Sequence, residues 1–410
     1  MLMQVLKAKP NNAVGLNMLG VVRANQNREE EAEGLFQKAI KADPKLAGPY
    51  GNLGVLYRKR NQPYSAMEMF RKAVELAPRD ANILYNMALL HGERGEFSDA
   101  IARLKAIPAK ERVADYWKML GSLCVSAGDF AQAEETFLKV LTKDPQSIAT
   151  LRELAGVALK RNNTEAAWKY MFQARRIAPN SPELLYEYAQ VSLKNQLATE
   201  ATVAMRKAVL LEPDRPEYLL FLGTTLMESP MEYGDALPFF QRYVKLKPED
   251  PVGHGSLGWA YYTNKDFENA RKEIEESLRL QPDQVIGYYQ LGAVFYETGD
   301  YARAEELLSK AIARQPDQAD AHLTLGMVYA RQGQAEKARG AFETVARLNP
   351  DEPKAHYQLS QLYRRLGNPE AAVRETKLYQ EALQKFREHN ERLLSTPSAS
   401  APAKQSVKKQ

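Results

Sequence analysis

A pattern 34 residues long recurs down this chain, and a chain patterned that way cannot fold as one ordinary globule. Between Ala47 and Asp80, Tyr50, Leu53, Gly54 and Tyr57 are followed by Ala66, Phe70, Ala73 and Pro78. The order returns as Leu257, Gly258 and Tyr261 with Ala270 and Pro282, then as Leu291, Gly292 and Phe295 with Ala304, Ala311 and Pro316. It returns once more as Leu325, Gly326 and Tyr329 with Ala338, Phe342 and Pro350. Laid end to end, the copies begin at Ala13, Ala47, Ala81, Ala114, Ile148, Pro182, Pro216, Pro251, Val285, Ala319 and Pro353, which makes eleven units. At 410 residues, length alone would suggest two or three domains, and the repeat overrides that guide.

Within a unit the first cluster is spaced i, i+3, i+4, i+7 and the second i, i+4, i+7, so each set lies along one stripe of an α-helix. Each unit is therefore a helix pair. Small residues such as Gly54 and Gly258 on the first helix, and Ala66 and Ala270 on the second, let the two backbones approach closely. The fifteenth position is Gly95, Gly128, Gly299, Gly333 or Gly367 in five units and Asn27, Asn61 or Asn162 in three, the residue types that best tolerate a left-handed helix end. A proline then stops the second helix, as at Pro44, Pro78, Pro145, Pro179, Pro213, Pro248, Pro282, Pro316 and Pro350.

This pattern resembles the tetratricopeptide repeat family over about nine tenths of the chain. The resemblance implies an all-α fold, a right-handed α-solenoid superhelix of helix-turn-helix repeats, in which each pair is stabilised by burying its stripe against the next. The organisation expected is a partial repeat or N-terminal capping helix over 1–12, six units over 13–215, an irregular seventh over 216–250 and four units over 251–386. The end of a C-terminal capping helix over 387–395 and a disordered tail over 396–410 follow. Two places break the rhythm. Pro108 shortens the third unit, and Glu228 to Gly234 replace the tight turn of the seventh, where Asp235 is expected to cap a late second helix holding Pro238 in its first turn. The last helix opens at Asn368–Pro369 and carries a heptad seam, Ala372, Thr376, Tyr379, Leu383, Phe386, Asn390 and Leu393. That seam suits a cap over the last repeat or a homodimer formed through the C-terminal helix.

Composition narrows the function classes. Lys and Arg (56) exceed Asp and Glu (51) by five, and three of the extra positives, Lys404, Lys408 and Lys409, sit in the tail, so the body offers no concentrated basic face for nucleic acid. One cysteine, Cys124, excludes an intramolecular disulfide and cannot alone form a thiolate cage. No apolar run is long enough for membrane insertion, and the opening apolar run is too short for a signal-peptide core. A cytoplasmic chain is expected, or a periplasmic one if a signal lies upstream of this reading frame. His254, His322 and His356 share position 4 of their repeats, one per unit, which suits packing and not convergence on a metal. No phosphate loop, dinucleotide fingerprint, zinc-protease helix or nucleophile elbow occurs, and no span remains for a catalytic domain. Neither a catalytic residue nor a cofactor is expected.

The family resemblance also implies where a ligand would lie, because positions 2, 5, 9 and 12 of its first helices line the concave groove. From the eighth unit onward that stripe and its neighbours hold Trp259, Tyr262, Tyr289, Tyr296 and Tyr357, interleaved with Gln290, Thr324, Arg331, Gln361, Arg364 and Arg365. Aromatic rings with polar tips supply contact area at low entropic cost, while amides and guanidinium groups satisfy an extended backbone. In the N-terminal half Asn52 and Asn86 occupy position 6 of consecutive units, similar to two rungs of the asparagine ladder of O-linked N-acetylglucosamine transferase superhelices. The three-unit carboxylate clamp of chaperone-binding members is not reproduced. These features point to a non-catalytic scaffold holding a protein or peptide ligand, an extended strand or a partner's helix. Alternatives are an accessory subunit of a bacterial envelope, pilus, secretion or polysaccharide assembly machine, and the recognition partner of a glycosyltransferase.

Overall fold

A computed structural model describes residues 2–228 and 233–395; the tail expected over 396–410 lies outside the described residues. The described residues form 23 α-helices and two short 3-10 turns, with no strand, in an α-solenoid of helix pairs. The chain divides into two compact bodies, the first ending at Ile177 and the second beginning at Ala178.

The first body holds α1 (Leu2–Ala8), then the pairs α2 (Ala13–Asn25) and α3 (Glu29–Ala42), α4 (Ala47–Lys59) and α5 (Pro63–Leu76), and α6 (Ala81–Glu93) and α7 (Phe97–Ala106). It closes with α8 (Ala114–Ser126) and α9 (Phe130–Lys143), and α10 (Ile148–Lys160) and α11 (Thr164–Ile177). The second body pairs α12 (Pro182–Lys194) with α13 (Ala198–Leu211), α14 (Pro216–Met227) with α15 (Leu237–Leu246), and α16 (Pro251–Thr263) with α17 (Phe267–Leu280). It continues with α18 (Val285–Thr298) and α19 (Tyr301–Arg314), α20 (Ala319–Arg331) and α21 (Ala335–Leu348), and α22 (Pro353–Arg365) and α23 (Pro369–Ser395). Among the described residues no helix is long and apolar enough to cross a membrane.

On five of the first helices the glycine does something more specific than let backbones approach. A Cβ built on Gly20, Gly54 or Gly121 in the first body would lie 2.6, 2.6 or 2.5 Å from the ring of Phe36, Phe70 or Phe137. In the second body Gly223 and Gly326 meet Phe240 and Phe342 in the same way, at 2.6 and 2.5 Å. The missing side chain is thus the seat of a phenylalanine from the second helix, and all five rings are buried. Burying such a ring stabilises a pair by about 1.5–3 kcal/mol, which a helix of a dozen residues needs because it is marginal alone. Alanines of the second helices, among them Ala66 and Ala338 beside these rings and Ala270 beside Ile274, are fully buried.

The turns inside the pairs carry left-handed residues where the sequence places Gly or Asn: Asn27, Asn61, Asn162, Gly95, Gly128, Gly299, Gly333 and Gly367. Two further turns adopt the same conformation with residues that disfavour it, Gln196 (φ 61°) and Lys265 (φ 64°). The backbone bonds that close the turn, Lys265 N–H to Tyr262 O at 2.9 Å and Asp266 N–H to Tyr261 O at 3.0 Å, need that conformation whatever the side chain. Lys265→Gly should therefore raise stability by about 0.5–1 kcal/mol in urea denaturation, because glycine adopts positive φ without the Cβ clash. A loss of stability would show that the Lys265 side chain makes a compensating contact.

The expected cap of the seventh unit needs correction. Asp235 does not cap α15. A 3-10 turn over Tyr233–Ala236 leads directly into the helix, and the capping position falls on Ala236, whose backbone is already helical. No extended residue precedes the helix from which a side chain could fold back, so the Asp235 carboxylate instead accepts from the Arg206 Nη2 at 2.9 Å. Pro238 does sit in the first turn of α15. In the third unit α7 ends at Ala106, and Arg112 closes the break by donating to the carbonyls of Ile107 and Lys105, both at 3.0 Å.

His254 and His356 bridge their units as packing residues. In each, Nδ1 lies 2.7 Å from a glutamate of the second helix, Glu273 or Glu375, and Nε2 lies 2.9 Å from the carbonyl of the preceding Pro248 or Pro350. His322 repeats the proline contact, with Nε2 2.9 Å from Pro316 O. Cys124 is buried, and that burial pushes its thiol up to about 11. In the seam of α23, Ala372 is buried, Thr376 donates to Ser360 at 3.2 Å and Tyr379 packs on Tyr357, so these three face the chain's own α22. The side chains of Phe386, Asn390 and Leu393 lie outside the described residues.

Candidate functional site

The first helices of units eight and nine, α16 and α18, bring four of the expected residues together. On α16, Trp259 and Tyr262 sit three apart and stack, ring centroids 4.5 Å apart and 10° from parallel. Tyr289 of α18 reaches back to Trp259 at 5.7 Å with a 46° tilt, joining one first helix to the next. Gln290, beside it, is 8% exposed, and its side-chain oxygen is buried without a donor among the described residues. A Cβ on Gly255, one turn before Trp259, would lie 3.1 Å from the Ser277 hydroxyl and 3.7 Å from that oxygen, so α17 and α18 close tightly on the bare backbone beside the aromatic cluster.

Burial sets the electrostatics of the cluster. It pushes the Tyr262 hydroxyl up to about 12, helped by the nearby Glu297 carboxylate. The Tyr289 hydroxyl is raised further still, again by burial first and then by the charge of Asp320 on α20. Both phenols stay neutral and can donate. Tyr262, Tyr289 and Tyr296 are half-buried and pack against the core between α17 and α20, so their inner edges are structural while the Trp259 ring stands outside that core.

The remaining residues separate from this cluster. Tyr296 packs on Tyr301 at 6.1 Å, and its hydroxyl, beside Arg331, holds that guanidinium above its ordinary value. Thr324 is buried, and its hydroxyl donates to Asp320 O of its own helix at 2.9 Å, so the structure gives it a helix partner and no outward role. Tyr357, 45% exposed, packs on Tyr379 at 5.6 Å and helps line a cleft of about 760 Å³ with Met327, Gln358, Ala382 and Leu383. Arg364 donates to Thr376 at 3.3 Å, and Gln361 is half-buried on the same helix.

In the first body, Asn52 and Asn86 border a smaller cleft of about 150 Å³ floored by Gly48 and Gly51. Each already donates once within the body: Asn52 Nδ2 to Asn17 Oδ1 at 2.9 Å, and Asn86 Nδ2 to Asn82 O at 2.8 Å. Arg58 is tied to Glu93 at 2.7 Å. His91, Glu96 and Asp99 are the one group of three metal-capable side chains found among the described residues. Arg94 pairs with Glu96 at 2.8 Å, and Arg71 and Arg103 line the same cleft, so three guanidinium groups oppose a cation there.

Sequence reasoning singled out the aromatic stripe but missed the bare backbone at Gly255 and the carboxylates of Glu297 and Asp320. Gly255 did carry a signal, being the smallest residue at a position occupied by Tyr289 and Tyr357 in the units that follow alternately.

Comparison with known proteins decides the family. Models of the tetratricopeptide repeat match residues 2–47, 256–319, 289–353 and 323–390, and further models of the same repeat match 57–123 and 117–149. The chain belongs to the tetratricopeptide repeat family. A curated relative, the TPR repeat-containing protein PA4667 of Pseudomonas aeruginosa, is 25% identical over 173 residues, which is 42% of this chain. The match spans only 28% of that protein's length. Among solved structures, the C-terminal part of a TPR repeat-containing protein from Cytophaga hutchinsonii superposes with a TM-score of 0.52 at 17% identity, covering 59% of this chain and 99% of that one. A tetratricopeptide repeat protein from Parabacteroides merdae gives 0.49 at 15% identity over 61% and 98% of the two chains. At 17% identity the likeness to the Cytophaga protein is one of fold. Tetratricopeptide repeats mediate protein–protein interaction, and that general role comes with the family.

Proposed function

We propose that this tetratricopeptide repeat chain is a non-catalytic scaffold that binds an extended peptide of a protein partner along α16, α18 and α20. The observation that carries this reading is the Trp259–Tyr262–Tyr289 cluster, which spans two first helices and places beside itself a buried amide oxygen lacking a donor. Partly exposed aromatic rings over a fixed helical frame are the anchors from which interfaces draw most of their energy. An extended peptide supplies the backbone N–H groups such an amide oxygen needs, which a partner's helix would keep for itself. The perturbed groups have ordinary structural causes. Tyrosines and Cys124 are raised by burial, while surface glutamates such as Glu268 and Glu306 are lowered by Lys272 and Lys310 beside them. The test is partner capture by the full chain against a variant with alanine at Trp259, Tyr289 and Arg331.

A further inference from the structure

We infer that the aromatic cluster selects a cationic residue, a lysine or arginine side chain of the bound peptide, seated against Trp259 and Tyr289 beside the Gln290 amide. This rests on the groove reading above and names what that groove prefers.

Three independent features around one spot are electronegative. The first is the pair of tilted faces of Trp259 and Tyr289, 5.7 Å apart at 46°, since an aromatic face carries the negative side of the ring quadrupole and attracts an ammonium or guanidinium within about 6 Å. Tyr262, stacked on Trp259 at 4.5 Å, holds the indole in place from the other side. The second is the Gln290 side-chain oxygen, on a residue only 8% exposed and without a donor among the described residues. A buried acceptor left unmade is costly, and a donor from a ligand removes the cost. It lies near Gly255, one turn before Trp259 on α16, which places the acceptor beside the aromatic pair. The third is charge: the exposed carboxylates of Asp320 and Glu297 lie close enough to influence Tyr289 and Tyr262, and neither is held in an ion pair among the described residues.

An apolar ligand side chain would use the rings but leave the Gln290 oxygen unpaired. An acidic one would face both carboxylates. Only a donor that is also a cation satisfies all three features. The groove already contains an internal example, because Arg331 rests beside the Tyr296 hydroxyl with Glu297 nearby.

The experiment titrates the full chain into labelled short peptides that share an Ala/Ser backbone and differ at one central residue: Lys, Arg, norleucine or Glu. Fluorescence anisotropy is read at low and high salt, with the wild type, Asp320→Asn and Trp259→Ala. Lys or Arg peptides should bind about tenfold more tightly than the norleucine peptide, with the Glu peptide weakest. High salt and Asp320→Asn should each shrink that preference, and Trp259→Ala should abolish binding of all four. Equal binding of Lys and norleucine peptides, still lost in Trp259→Ala, would overturn the cation preference and leave the groove reading standing. Binding that ignores Trp259→Ala, or none by any peptide up to millimolar concentration, would overturn both.

Discussion

A chain with alanine at Trp259, Tyr289 and Arg331 is expected to hold its partner about a hundredfold more weakly while keeping its helix content. Aromatic anchors near the centre of an interface commonly cost about 2 kcal/mol or more each when truncated. Trp259 and Tyr289 touch at 5.7 Å, so their effects overlap and the total falls short of a simple sum. Arg331 is fully exposed and contributes through its contact with Tyr296 and through any pairing with the ligand. Helix content should survive because the side chains that seal unit to unit are others, Leu257, Ile274, Leu291 and Leu308 among them. Tyr289 does pack partly on the core, so a modest fall in stability of about 1 kcal/mol should accompany the loss. Tyr64→Ala provides the control: that tyrosine is 81% exposed in the first body, and its removal should leave capture unchanged. Undiminished capture by the triple variant would place the binding surface elsewhere.

Phe342→Ala is expected to be the most damaging single core change of this kind, lowering stability by about 3–5 kcal/mol. The ring is 1% exposed and occupies the seat left by Gly326, so its loss opens a cavity that no neighbouring side chain is placed to fill. Because repeats bear mainly on their nearest neighbours, the damage should be local. Hydrogen exchange should accelerate across α20, α21 and α22 well before it does in α16 and α17. Gly326→Ala attacks the same seat from the opposite side and should cost about 1–3 kcal/mol by overpacking. Uniform exchange acceleration throughout the second body would contradict nearest-neighbour stabilisation.

Much of the fold was legible because the repeat copies one solution eleven times, and a pattern read in one unit could be checked in the next. The glycine seats illustrate what remained hidden. Sequence spacing marks Gly54 as a close approach, but only coordinates reveal that a Phe70 ring, and not a helix backbone, fills the space. Gln196 and Lys265 escaped for the converse reason: closing the turn imposes a left-handed residue there, and local propensity is overruled by the packing on either side. Asp235 was misread because capping depends on the backbone just before a helix, which a 3-10 turn had already made helical. At the site, aromatic residues announced themselves by type and position. The unpaired oxygen of Gln290 could not, because whether a polar group is satisfied depends on neighbours brought together only by folding.

The central claim is that the partner lies along the first helices of units eight to ten, and site-specific photo-crosslinking tests it most directly. A photoreactive residue placed at Ile286, half exposed at the start of α18 and one turn from Tyr289, should form a covalent adduct with the captured partner. The same group at Lys310, exposed on the second helix α19, should form none. Adducts from Lys310 with none from Ile286 would contradict the account.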